Sequence, residues 1–233
     1  MVELKGVSRA EALRYMGHHG KPSESLEKII EDCEAKLLVT ARPSYVYRIF
    51  DISSAPEGLR VEGSSLLLKG NDIRGHLDGC GRVALLCATL GAETDRLIRT
   101  VEITDISSAF VMDALASAAI EEVCRIADED IKGQLDGEFL TWRFSPGYGD
   151  FPLDIQKEFL EVMNAPKRIG LFTGENNILI PRKSVTAVAG ISEKPISRKR
   201  RGCACCNMSE TCAFRKRGEH CGCLLYTSDA ADE

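Results

Sequence analysis

The residues best suited to chemistry lie in the run Arg143-Phe-Ser-Pro-Gly-Tyr-Gly-Asp-Phe-Pro-Leu-Asp-Ile-Gln156, where a lone arginine precedes a Pro-Gly turn, a tyrosine and a second proline. Arg143 offers a planar fork of N–H donors that matches a carboxylate. Gly147 lets the main chain take φ > 0 or approach a ligand closely, while Pro146 fixes φ and removes a competing donor. The expectation is a turn that presents backbone to a ligand. The alternative is a Pro-Gly corner between a strand and a helix, with Arg143 on the surface and Tyr148 packed for stability.

A second cluster stands near the C-terminus: Cys203, Cys205, Cys206 and Cys212, with His220 and Cys221 beyond. Four closely spaced thiolates meet the coordination number of zinc or an iron–sulfur cluster. The spacing fits no standard finger, and adjacent Cys205 and Cys206 cannot easily both chelate. A reducible tail without metal is the alternative. Cys33, Cys80, Cys87 and Cys124 stand singly in apolar or helical surroundings and read as buried reduced thiols. His18 and His19 follow a helix end, and His76 beside Asp78 and Cys80 reads as structural. No Ser/His/Asp set, Walker loop or dinucleotide fingerprint is present.

The elements that must position these residues belong to a chain of 233 residues, 44% hydrophobic and 28% charged, with a formal net charge of −5. That composition supports one domain plus extensions. Mild acidity argues against nucleic acid as the main partner. No apolar run approaches the ~20 residues that span a bilayer, and the first ten residues lack the apolar core of a signal peptide, so the expectation is a cytoplasmic protein with no membrane partner.

Ser8, with Glu11 three residues on, has capping-box spacing for a short helix. Ser23 or Ser25 caps a second, in which Leu26, Ile29, Ile30, Cys33, Leu37 and Leu38 recur at helical spacing. Tyr45 to Ile52 changes to strand alternation, and residues 53–70, broken by Pro56, Gly58, Gly63 and Gly70, read as a strand meander. Asn71 or Asp72 is expected to cap a short helix. Val83 to Leu90 suits a buried central strand. Asp105 to Ile131 holds the longest helical pattern, rich in small residues. A strand from Phe139 to Phe144 leads into the Pro-Gly turn, Pro152 is expected at the first position of a helix running to Met163, and strands follow near Ile178 to Ile180 and Val185 to Ile191. Helices and strands mix without a βαβ repeat, which makes the fold class α+β. After Ile191 comes Arg198-Lys-Arg-Arg201, read as a solvated linker, and then the cysteine cluster.

The Arg-x-x-Pro-Gly-Tyr spacing of Arg143 to Tyr148 resembles the motif of the S-adenosylmethionine-binding activation domain of cobalamin-dependent methionine synthase. Pro152 keeps that family's second proline. Thr173-Gly-Glu and Pro181-Arg-Lys-Ser-Val-Thr-Ala-Val-Ala-Gly-Ile-Ser192 resemble the strand pair that follows. The resemblance covers most of residues 1–192 and is nearest to stand-alone, single-domain forms. It implies a curved, mainly antiparallel sheet with packed helices. It also implies that Arg143 meets the carboxylate of S-adenosylmethionine, that Ser145, Pro146, Gly147 and Tyr148 hold the ligand, and that Glu138 lies near its amino group. Two departures stand out. The family's Pro-Ala-Cys-Pro is Gly149-Asp150-Phe151-Pro152 here, and Ala189 and Gly190 replace an aromatic pair that contacts the ligand.

By resemblance the chain is an accessory that supplies the activation module in trans: an electron reduces cob(II)alamin on a partner, and S-adenosylmethionine remethylates it. The partners so implied are a cobalamin-binding methionine synthase lacking its own activation domain and an electron-donor protein. The chain has no Asp-x-His-x-x-Gly corrin signature, so the partner carries the cobalamin. Other readings are a non-catalytic module that senses S-adenosylmethionine or docks a corrinoid protein, or an activator of another corrinoid methyltransferase. The expected organisation is a domain over residues 1–192, a basic and cysteine-rich tail over 193–222, and a segment over 223–233 that reads as a translated sequencing adapter rather than protein.

Overall fold

Val83 to Leu90 becomes the middle of the sheet, and every residue of that run is buried. A computed structural model describes residues 2–195 of the chain. Six strands lie in the order β3-β2-β1-β4-β8-β5, formed by β1 (Ser44–Ala55), β2 (Gly58–Val61), β3 (Leu67–Leu68), β4 (Arg82–Thr89), β5 (Phe139–Leu140) and β8 (Ser184–Ser192). All the pairings are antiparallel, with Leu86 opposite Tyr47 on one side and Ala187 on the other. A separate two-stranded ribbon joins β6 (Phe172–Thr173) to β7 (Leu179–Ile180). The α+β expectation, with a curved and mainly antiparallel sheet, holds.

The alternating side chains of β4 feed two cores, which is why a strand in an antiparallel sheet reads as continuously apolar. Leu86 and Ala88 face a helical layer of α1 (Arg9–Tyr15), α2 (Glu24–Thr40), α4 (Ala92–Thr104) and α5 (Ile106–Gly133), where Ile30, Leu37, Met112, Leu115, Ala119 and Val123 are buried. Val83, Leu85 and Cys87 face the other layer, with α3 (Asn71–His76), α6 (Gln156–Met163) and α7 (Ala165–Ile169), where Phe151, Phe159, Leu160 and Met163 pack. Alanines 114, 116, 118 and 119 of α5 are buried, and their small size lets the helix lie close to its neighbours.

Local chemistry sets the helix starts. The Ser8 hydroxyl accepts from the amide of Glu11, and that of Ser23 from Leu26. The Glu11 carboxylate turns to Arg14 instead of reaching back to complete a capping box. Asp105 caps α5 by accepting from the Ser108 hydroxyl and from the amides of Ser108 and Ser107, which hold its carboxyl below the usual range.

Three expectations need correction, and one element is additional. Neither Asn71 nor Asp72 caps α3; the N-cap is Gly70, and the carboxylate that receives the helix amides comes from Asp150. Pro152 precedes the first helical position as the cap of a 3₁₀ turn, Leu153–Ile155, that runs into α6. The strand expected from Phe139 to Phe144 pairs only at Phe139–Leu140, with an isolated bridge from Phe144 to Val188. Helix α7 was not anticipated; it starts at Ala165-Pro166 after Asn164 takes a left-handed conformation.

The cysteines 33, 87 and 124 are buried and free, and Cys80 is half-buried. Burial raises their thiol pKa values, to about 11 at Cys80 and about 12 at Cys124, so they stay protonated. Among the described residues no group of His, Cys, Asp or Glu is placed to hold a metal ion. The proposed ligands Cys203, Cys205, Cys206 and Cys212, the basic run and the adapter-like segment lie outside the described residues. No described helix is long and apolar enough to cross a membrane.

Leu115 is fully buried between the helical layer and the sheet, whereas Phe110, five residues earlier on α5, is 57% exposed. Leu115→Ala should therefore lower unfolding stability by about 2 to 5 kcal/mol and Phe110→Ala by no more than about 0.5 kcal/mol in urea titrations. Equal costs would contradict the assignment of α5 as the inner helix of its layer.

Candidate functional site

The Arg143 to Pro152 segment leaves the edge of the sheet at β5, bridges β8 through Phe144 and turns back to start α6. Amides and carbonyls of Phe144 and Val188 exchange two hydrogen bonds of 2.8 Å, which fix the base of the turn. Within it the Gly147 amide donates to the Phe151 carbonyl at 2.8 Å, the Tyr148 amide to Ser145, and the Phe151 amide to Tyr148. Gly147 has φ of 91° and Gly149 φ of 55°, the left-handed region that favours glycine. The amides of Gly147 and Tyr148 thus close the turn itself. The half-exposed Tyr148 ring is what it offers outward.

Gly149-Asp150, the departure from the family's continuation, has a structural role. The Asp150 carboxylate accepts from the amides of Asn71 at 2.7 Å and Asp72 at 2.9 Å, while the Asp72 carboxylate accepts from the Asp150 amide at 3.0 Å. These bonds to backbone N–H groups hold the Asp150 carboxyl below its usual pKa. A Cβ at Gly149 would overlap the Asp72 carboxylate, and one at Gly70 would overlap Asp150. The turn and α3 are clasped reciprocally, and both glycines are needed for the approach.

Arg143 does not lie on the surface. Its side chain is 12% exposed, and its guanidinium donates to Asp128 at 2.6 Å and to Glu121 at 2.8 Å, both on α5. The fork that could receive a ligand carboxylate is therefore held by two internal carboxylates, tying the turn to the central helix. Lys132, on the same helix, adds a second positive charge near Asp128. Asp128 Oδ1 is buried without a hydrogen-bond partner. Burial raises the pKa of Asp128 above its ordinary value, and nearby Arg143 opposes that shift without cancelling it.

The Glu138 carboxylate pairs with Arg82 at the start of β4. The acids beside Arg143 are Glu121 and Asp128, which the sequence reading did not select. Their seven-residue spacing puts them two turns apart on one helix face, with buried Cys124 between, and that spacing was a readable signal.

Aromatic rings gather on the other side of the turn. His76 packs on Trp142 with centroids 3.9 Å apart and hydrogen-bonds through Nε2 to the Thr141 hydroxyl at 3.0 Å. Phe144 meets Trp142, the edge of Tyr148 and Phe151. Next to them on β8, the Gly190 amide donates to the Thr141 hydroxyl, and a Cβ at 190 would meet Cys80 Sγ at 2.5 Å and Leu77 Cδ2 at 2.9 Å. Position 190 has no room for a methyl group.

No family model matches this sequence, and no curated protein does. Among solved structures, that of the MetH reactivation domain bound to AdoHcy is similar. It aligns with a TM-score of 0.58 over 91% of this chain and 82% of that chain, at 14% sequence identity. The two share a fold.

Three consequences can be measured. Gly149→Ala should cost about 1 to 3 kcal/mol, from left-handed strain plus displacement of Asp72, with faster amide exchange in α3; an unchanged exchange rate would remove the clasp. A double-mutant cycle of Arg143→Ala and Asp128→Asn should give a coupling of about 1 to 3 kcal/mol, and additivity would show that the pair is not formed. Because folding raises the Asp128 pKa, its contribution is fully present below the ordinary value of 3.8 and is lost as pH rises through the folded one. The stability of Asp128→Asn relative to wild type should accordingly shift in favour of the variant over that window and then level off; a shift the other way would contradict the burial of this carboxylate.

Proposed function

We propose that this chain is an S-adenosylmethionine-binding activation module that acts in trans on a cobalamin-carrying methionine synthase lacking such a module. The observation that carries the reading is the group at the base of the turn: one guanidinium, two carboxylates and a buried acceptor, Asp128 Oδ1, with no donor. An amino-acid zwitterion suits that set. Its carboxylate would take one arm of Arg143, displacing Glu121 or Asp128, and its ammonium would supply donors to the displaced carboxylate. Charge is conserved in the exchange.

The fold likeness to a domain whose structure holds AdoHcy supports the same class of ligand. In this reading Ser145 and the carbonyls around Pro146 and Gly147 line the ligand, and Tyr148, half-exposed and steeply inclined to Phe144, offers a ring face to the sulfonium. Glu138 has a supporting part, bracing the start of β5 through Arg82. The corrinoid, carried by the partner, supplies the cobalt that accepts the methyl group. The work of this chain is to bind and orient the methyl donor and to keep water from it. An electron-donor protein completes the partners.

A second reading has one specific observation in its favour. With Gly190 roofed by Cys80 and Leu77, β8 offers no stacking ring, which suits a module that senses the ligand or docks a corrinoid protein without supporting transfer.

Isothermal titration with S-adenosylmethionine and S-adenosylhomocysteine tests the proposal. Wild type should bind both, and Arg143→Ala and Asp128→Asn should each weaken binding by about 1.5 to 3 kcal/mol, some ten- to a hundredfold. No heat with wild type would overturn it. Binding without reactivation of a corrinoid partner would favour the second reading.

A further inference from the structure

Strand β1 is paired on one side from Ser44 to Asp51, against β4, but on the other side only from Ile52 to Ala55, against β2. Its outer edge from Tyr45 to Ile49 is therefore open. Parity shows which groups point out. The Ile52 amide donates inward to Gly81, and the Asp51 carbonyl accepts outward from Glu62. Residues of odd number thus direct their N–H and C=O groups away from β4, as antiparallel geometry requires. Those of Tyr45, Tyr47 and Ile49 face outward, and among the described residues no strand or side chain hydrogen-bonds to them.

This edge forms the floor of a cavity of about 340 Å³ lined by Tyr45, Val46, Tyr47, Arg48, Ile49, Gln134 and Arg168. Gln134 closes the C-terminal end of α5 on one side, and Arg168 lies in the last turn of α7 on the other. The two walls differ. On the α7 side stand two cations, Arg168 and Arg48, the latter donating to the Val162 carbonyl at 3.0 Å. On the α5 side stand Tyr45 and Tyr47, stacked at 6.4 Å, both with hydroxyls turned to Asp130.

We infer that this slot is a docking site for an extended peptide segment of a partner protein, which adds as a short strand to β1. An unprotected strand edge is a template for such addition, with main-chain hydrogen bonds giving affinity and alternate side chains giving selectivity. Side chains of the added strand that fall on the α7 side meet Arg48 and Arg168 and should be acidic. Those on the α5 side meet Tyr45, Tyr47 and Ile49 and should be apolar or aromatic. The occupant is thus a segment in which acidic and apolar residues alternate. A second copy of this chain fits poorly, because its own β1 edge lies between the same two walls, and these would collide with the first pair. The site is separate from the Arg143 turn and does not rest on the proposed function.

Amide hydrogen exchange on the full chain, with and without a peptide of alternating valine and glutamate, tests the inference. In the free protein the amides of Tyr47 and Ile49 should exchange fast and those of Arg48 and Phe50 slowly. Saturating peptide should slow the odd-numbered amides at least about tenfold, since each gains a strand hydrogen bond. Replacing glutamate by lysine in the peptide, or Arg48 and Arg168 by glutamate in the protein, should weaken binding by about five- to tenfold. N-methylation of alternate peptide residues on the edge facing β1 should abolish binding. The inference is overturned if the odd-numbered amides are already protected in dilute protein, if their protection rises with protein concentration alone, or if the N-methylated peptide binds as well as its parent.

Discussion

The ion pairs of Arg143 with Asp128 and Glu121 are the constraint on which the rest of the site depends. They are the link between the turn, carried on the edge of the sheet, and α5, the central helix of the opposite layer. Without that link two carboxylates would face each other at a largely buried position, a costly arrangement. The guanidinium therefore has two kinds of work available to it. It neutralises the acids of the helix, and it is the group at the turn most able to receive a carboxylate from outside. In the proposed function, ligand binding is an exchange of partners and not the filling of an empty cleft.

That exchange gives the surrounding rigidity a purpose. The turn is closed by its own amides, anchored to β8 through Phe144 and Val188, and clasped to α3 through Asp150 and Asp72. Gly149 and Gly70 permit the approach that the clasp needs. A turn held at three points keeps Ser145 and Tyr148 in a fixed relation to Arg143, the orientation that the proposed function asks of this chain. The open edge of β1 lies apart from this assembly and shows the opposite condition, a row of main-chain groups that nothing described satisfies.

Much of the fold was legible because its signals are local. Ser8 and Ser23 cap where their spacing from the following helix says, and the apolar run from Val83 to Leu90 is buried on both faces. The periodicity from Asp105 to Ile131 corresponds to α5. The errors arise where a distant residue decides. The acceptor for the α3 amides is Asp150, far along the chain, so the nearby Asn71 and Asp72 misled. The carboxylates that hold Arg143 sit on another element, and only topology brings them together; Glu138, adjacent in sequence, turns to Arg82 instead. The crowding of Gly190 by Cys80, Leu77 and Thr141 likewise comes from residues far along the chain.

A crystal structure of the full chain with S-adenosylhomocysteine would test the partner exchange at Arg143 most directly. The account predicts the ligand carboxylate on the guanidinium and its ammonium on Asp128 or Glu121, with the turn otherwise unmoved. Ligand bound elsewhere, with both internal ion pairs of Arg143 intact, would contradict it.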